Sequence, residues 1–265
     1  MAKTPLRVFP SAEAIGEAVA ERVLARIEQT AITGTRFLLG CPTGRTPRPI
    51  FEAMSRRLGQ TSQDLSHLVL VMMDEYLVPI HGHLAWAPAS RPWSCHHFAR
   101  VEIADRLNAG LPPGRRVRED SLWFPDPADP EAYDASIAGA GGIDLFLLAS
   151  GASDGHVGFN PPGSPRDSRT RIVPLSPETR RDNLLTFPSF GTLESVPHHG
   201  VTVGIETIAS AKEAVMIVWG PAKRLTLGRM RAVVGYDPQW PATLIHECAV
   251  REILADQDAA GGDTP

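Results

Sequence analysis

The stretch IDLFLLASGASDGH, Ile143–His156, decides how the rest of the chain is read. Its first half is apolar almost without interruption and about as long as a strand. Such a run does not alternate, so neither face is suited to water. A strand of a parallel sheet covered by helices on both sides has this pattern. The second half breaks into small residues and sets Asp154 and His156 on either side of Gly155. Glycine permits backbone angles closed to other residues. An Asp two positions from a His can fix its tautomer and steady its charged form. The plainer reading is a polar turn that ends a strand, its His satisfied locally.

Working outward, the pattern recurs. RFLLGC (Arg36–Cys41), HLVLVMM (His67–Met73) and EAVMIVWG (Glu213–Gly220) are further short apolar runs. Helical segments separate them. In SAEAIGEAVAERVLARI, Ile15, Val19, Val23 and Ile27 fall four apart with charges between them, and Ser11 is placed to cap the start. A second helix opens near Pro47, a third covers Trp93 to Leu107, and others lie in PEAYDASIAGAG and PAKRLTLGRMRAVV. HLVLVMM stops abruptly at DEY, and a loop is expected from there to about Arg91. NAGLPPGRRVREDSLWFPDPADP reads as turns. PATLIHECAVREILADQDAA reads as a short helix and a last strand, and the tail GGDTP is expected to fray. Strands alternating with helices predict a doubly wound α/β fold of three layers on a mainly parallel sheet. Without an internal repeat or a linker, residues 1–265 are read as one domain.

Composition narrows the function classes. The hydrophobic share of 43% supports a large core, and the net charge of −4 is spread without long blocks, which argues against a nucleic-acid binder. Three distant cysteines without a CxxC argue for a reducing compartment and against a disulfide framework. Met1–Glu17 lacks the continuous apolar core of a signal peptide, and no apolar run approaches the ~20 residues needed to span a bilayer. The expectation is a cytoplasmic protein with no membrane partner.

Ligands of doubly wound sheets bind beyond the carboxyl ends of the strands, which directs attention to three more stretches. GCPTGRTP, Gly40–Pro47, is a glycine-bearing turn leading into a helix N-terminus. Its free N–H groups and the hydroxyls of Thr43 and Thr46 suit an anion. It lacks the GK[ST] ending of the nucleotide P-loop and is not GxGxxG; an ordinary strand-to-helix turn is the plainer reading. After VMM come Asp74, Glu75 and Tyr76. One carboxylate can face a cleft while its neighbour faces away, and the apolar Met72 and Met73 would raise a carboxyl pKa nearby. Solvated strand ends are the alternative. Lys223 stands in the first turn of a helix, where it opposes the dipole unless an anion is near. The adjacent pairs His96–His97 and His198–His199 match no metal spacing such as HExxH, so no metal is expected.

Together these stretches resemble the glucosamine-6-phosphate deaminase family, whose wider relatives are the 6-phosphogluconolactonases and, by fold, the ribose-5-phosphate isomerases. The similarity runs in order through LGCPTGRTP, MMDEY, IDLFLLASGASDGHVGFN, SRTRIVPLSPETR, VTVGIETI, GPAKRLTL and PATLIHE, and its most specific part is DGH followed by FN. The resemblance implies a sugar-phosphate isomerase/deaminase of the hydrolase class that needs no metal or organic cofactor. Thr43, Gly44, Arg45, Thr46 and Lys223 would hold the phosphate. Asp74 would move a proton between sugar carbons C2 and C1. His156, oriented by Asp154, would open the pyranose ring. The partner implied is a small sugar phosphate, and related deaminases can be homo-oligomers.

The chain departs from the family pattern at two places. Pro161 stands where the deaminases carry a Glu in the relay to the His, and proline can neither take nor give a proton. Leu184 and Leu185 stand near a position where they carry Arg; Arg181 is the nearby candidate to replace it. Val78–Pro79 is reminiscent of the lactonases' DERxVP, with Tyr76 in place of Arg. Two other readings therefore stand beside the deaminase. One is a lactonase in which His156 activates water. The other is a sugar-phosphate sensor that has lost the relay.

Overall fold

The computed structural model describes residues 3–261, so most of the tail expected to fray lies outside the described residues. Among these residues, seven strands form a parallel sheet in the order β1 (Leu6–Phe9), β11 (Val250–Asp256), β10 (Glu213–Val218), β7 (Leu145–Ala149), β2 (Phe37–Cys41), β3 (Leu68–Met72), β6 (Leu122–Trp123). All the neighbours pair in parallel, as in Leu39 opposite Leu145 and Leu70 opposite Leu122.

The apolar runs serve two cores at once. Phe37, Leu39, Leu68, Leu70, Leu145 and Leu147 face one core with helix α1 (Ala12–Thr33) and helix α2 (Arg48–Thr61). Leu38, Val69, Val71, Phe146 and Leu148 face the other, with Tyr133 and Ile137 of helix Pro130–Gly139 and Leu227 and Met230 of helix Arg224–Ala232. This is the doubly wound, three-layer α/β fold expected from unbroken apolar strands. Ser11 caps α1 by accepting from the Ala14 N–H at 3.3 Å, and Ile15, Val19, Val23 and Ile27 are all buried. Such a cap stabilises a helix by about 1 kcal/mol.

Strand order sets the position of the cleft. From β2 the chain proceeds to β3 on one side; from β7 it proceeds to β10 on the other. Connections therefore diverge between β2 and β7, and a crevice opens at their carboxyl ends.

The structure differs from the sequence reading after Met73. The loop expected up to Arg91 is instead β4 (Asp74–Ile80) and β5 (His83–Trp86), which join β8 (Arg171–Pro174) and β9 (His199–Thr202) in an antiparallel sheet ordered β5-β4-β9-β8. The hairpin turns at His81 and Gly82, with φ of 50° and 83°, the two positive values that a tight two-residue turn requires. Pro79 weakened the strand signal, but it falls beyond Leu77, the last residue paired with β9, so its missing N–H breaks no ladder bond there.

Candidate active site

A cavity of about 360 Å³ opens at the divergence point. Thr43, Gly44, Arg45 and Thr46 line it from the turn after β2, Asp74 from the start of β4, His156 from the turn after β7, and Lys223 from the turn after β10. Of the eight residues singled out in the sequence, Asp154 alone is not on the wall; it stands behind His156.

The turn after β2 bends at Gly44, where φ is +91°. Helix Pro177–Thr186 crosses above it, and a Cβ on Gly44 would lie 3.2 Å from the Thr186 methyl. The backbone angle strains any other residue here, and the close approach leaves little room for a side chain.

Asp154 and His156 are locked together. Asp154 Oδ1 accepts from the His156 backbone N–H at 3.1 Å and lies 2.6 Å from Nδ1. Thr179 Oγ1 lies 3.3 Å from the same nitrogen, and Ser176 donates to Asp154 Oδ2 at 3.3 Å. Burial alone would raise the Asp154 carboxyl, but the hydrogen bonds and charge of His156, with Ser176, outweigh it and hold Asp154 below its ordinary value. The aspartate thus stays ionised and fixes the ring. Gly155 allows the turn with φ of +69°, and a Cβ there would lie 2.5 Å from the Trp240 ring.

The adjacent carboxylates Asp74 and Glu75 divide as strand alternation demands. Glu75 faces away from the cavity. It is fully buried and accepts from the backbone N–H groups of Tyr76 at 2.7 Å, Cys95 at 3.0 Å and His96 at 2.8 Å, and it meets His96 Nδ1 at 2.6 Å. It anchors the helical stretch that begins at Cys95, and Phe124 stacks on the His96 ring with centroids 3.6 Å apart. Asp74 faces the cavity, 4% exposed, and receives one hydrogen bond from Cys95 Sγ at 3.3 Å. Burial pushes its pKa up to about 7; the Glu75 charge adds to this, while Cys95 and the His156 charge oppose it.

The cavity wall also carries two cations, Lys223 and Arg45. Lys223 Nζ donates to the Ser150 carbonyl, and Arg45 is exposed at the rim. Burial, against the pull of Asp182 and Asp154 and helped by Arg45, lowers the Lys223 pKa to about 8. Two cations with few intramolecular partners suit a dianionic group.

Sequence reasoning missed residues on helix Pro177–Thr186. Asp182 and Asn183 line the cavity, beside Leu185, which stands near the family's Arg position and is 69% exposed. Asp182 Oδ2 accepts from the Ala152 N–H at 3.3 Å and the Ser153 hydroxyl at 3.1 Å. The three-residue spacing of Thr179 and Asp182 puts them on one helix face, but nothing local marks what that face meets. Arg181 is not brought to the cavity; it pairs with Glu178 on the helix surface at 2.6 Å. Pro161 is also off the wall, its carbonyl accepting from Ser164. Arg171 bonds Asn160 Oδ1 at 2.9 Å, likewise outside the cavity.

Known proteins share this arrangement of elements. The model of the family described as glucosamine-6-phosphate isomerases/6-phosphogluconolactonase matches residues 10–254. The chain belongs to this family. Among glucosamine-6-phosphate isomerase/lactonase relatives, the glucosamine-6-phosphate deaminase of Arthrobacter sp. (strain FB24) is 36% identical over 216 residues, 82% of this chain and 76% of that protein. The glucosamine-6-phosphate deaminase of Shouchella clausii (strain KSM-K16) is 31% identical over 254 residues, 94% and 93% of the two chains. A solved monomeric glucosamine-6-phosphate deaminase superposes with a TM-score of 0.81 at 25% identity, covering 97% of this chain and 99% of that one. The 6-phosphogluconolactonase from Trypanosoma cruzi shares the fold, with a TM-score of 0.70 at 17% identity, covering 99% of this chain and 98% of that one. Among the described residues, no helix is long and apolar enough to cross a membrane.

Proposed function

We propose that this chain is a glucosamine-6-phosphate deaminase, converting the amino-sugar phosphate and water to the ketose 6-phosphate and ammonia. The observation that carries this reading is one cavity lined together by a buried carboxyl near neutrality, a carboxylate-held imidazole and two cations. The deaminase relatives that match over most of the chain support the same substrate. The family match over residues 10–254 supports reading the chain as one sugar-phosphate domain.

Each residue has a task within this reading. Lys223, Arg45 and the Thr43–Thr46 turn hold the phosphate, and that binding energy positions carbons C1 and C2 over the acid/base pair. His156 transfers a proton from the C1 hydroxyl to the ring oxygen, and Asp154 keeps its ring oriented. Asp74 removes the proton from C2 and returns it to C1, while the substrate's ammonium passes a proton to the C1 oxygen, leaving an iminium at C2. Water then adds to the resulting C2 iminium, and ammonia leaves. A carboxyl titrating near pH 7 both takes and returns a proton readily.

The pH dependence follows from two groups. Asp74 must be ionised to accept the C2 proton, so kcat/KM rises with pH through about 7. Lys223 must be protonated to hold the phosphate, so kcat/KM falls as pH rises through about 8. The expected outcome is a narrow bell, and a flat profile from pH 6 to 9 contradicts it.

The defining experiment incubates the protein with phosphorylated amino sugars, ketoses and 6-phosphosugar lactones. Ammonia and ketose phosphate should be released from glucosamine 6-phosphate. Acid release from the lactone alone would identify a lactonase, and tight binding without turnover of any compound would identify a sensor.

A further inference from the structure

His156 faces a second carboxylate besides Asp154. One carboxylate oxygen of Asp182, one of Asp154 and a ring nitrogen of His156 all lie within 4.8 Å of one another. Asp154 and Asp182 reach the ring from different elements, the turn after β7 and helix Pro177–Thr186. The second carboxylate is held firmly. Its Oδ2 is fixed by the Ala152 N–H and the Ser153 hydroxyl, and Oδ1 has no hydrogen-bond partner among the described residues. Thr179, three residues earlier in the same helix, lies 3.3 Å from Nδ1.

The other groups around the ring do not substitute for this carboxylate. Asp74 senses the His156 charge, but it sits largely protonated below pH 7. Lys223 is drawn toward both Asp182 and Asp154 and works against a cationic imidazole. Pro161, at the position where the deaminase resemblance calls for a relay Glu, has no proton to exchange and lies off the cavity wall.

We infer that Asp182 is a positioning residue for this reaction: from the Pro177–Thr186 helix it supplies the second negative charge acting on His156, a task that Pro161 cannot perform. This rests on the proposed deaminase function for its catalytic meaning, but not for its electrostatics. As His156 takes up a proton during ring opening, an imidazolium forms between two carboxylates and is stabilised by both. The same helix lines the cavity with Asn183 and Leu185. Its seating over the substrate and the acid strength of the imidazole are therefore coupled.

Asp182→Asn is the discriminating variant. It keeps an oxygen to accept from Ala152 and Ser153 and removes only the charge, so a purely structural role would survive it. The His156 imidazole is titrated by NMR in the ligand-free protein, and kcat and KM are measured on glucosamine 6-phosphate. The expected result is a His156 midpoint lower than wild type by roughly one pH unit. With it comes a kcat lowered about 10-fold and a KM changed less than about threefold. Asp182→Glu, which keeps the charge, should stay near the wild-type midpoint. An unmoved midpoint in Asp182→Asn overturns the inference, as does a raised KM with unchanged kcat, which would make Asp182 a binding contact. If wild type releases no ammonia, the proposed function fails by itself, while the titration still decides the role of Asp182.

Discussion

Replacing Asp74 with Asn lowers kcat for ammonia release from glucosamine 6-phosphate by about 10³–10⁴-fold, with little change in KM. The amide has nearly the same size and still accepts from the Cys95 thiol, which lies 3.3 Å from Oδ1. What it loses is the ability to collect a proton from carbon. Because the proton must leave C2 and arrive at C1, no other group in the proposed scheme can substitute: Glu75 is turned into the protein and holds three backbone N–H groups. The measurement is steady-state ammonia production, with exchange of the C2 hydrogen for solvent deuterium as a second readout. A lactonase has no such proton to move, so a variant that retains most of the wild-type turnover would sink the deaminase scheme at its centre.

Removing the Lys223 ammonium gives the second large effect. In Lys223→Ala, KM for glucosamine 6-phosphate rises about 10–100-fold, the equivalent of the ~1.5–3 kcal/mol carried by a hydrogen bond to a charged group. Arg45 and the Thr43–Thr46 turn remain and keep part of the phosphate affinity. Unphosphorylated glucosamine is the control: its weak binding should be the same in both proteins. Loss of the descending limb of the pH profile near 8 should accompany the change, since Lys223 is the group whose deprotonation produces it. Equal losses for the two sugars would remove Lys223 from the anion site.

The parts of this architecture that could be read from sequence are those governed by local rules. Unbroken apolar runs such as Phe37–Cys41 and Leu145–Ala149 have no stable place except between two covering layers, so they disclosed the parallel sheet directly. Their ends, carrying Gly44, Asp154 and His156, were legible for the same reason. β6 has two residues and β1 has four, too few to show any period, and both exist because longer neighbours offer them an edge. β4 was obscured by Pro79 and by the abrupt change from apolar to acidic at Asp74, although His81–Gly82 marks a tight hairpin turn. Asp182 was invisible for a different reason. It acts across 26 residues of chain from His156, and nothing in its own helix announces the ring it faces.

The burial of Asp74 has a consequence for the molecule as a whole. Its carboxyl is held at about 7 in the fold against an ordinary value near 3.8, so the folded chain binds a proton there that the unfolded chain releases. That contribution is fully present below about 3.8 and disappears as the pH climbs through about 7. Above neutrality the ionised side chain weakens the fold, by an amount on the order of a few kcal/mol. Asp74→Asn should therefore melt at a higher temperature than wild type at pH 8, with the gap closing toward pH 5, and equal melting at pH 8 would show that the anion is better solvated than its burial implies. Resistance to heat and fitness for the reaction are then set against each other by one oxygen acid, and the protein is least robust in the form in which it can turn over its substrate.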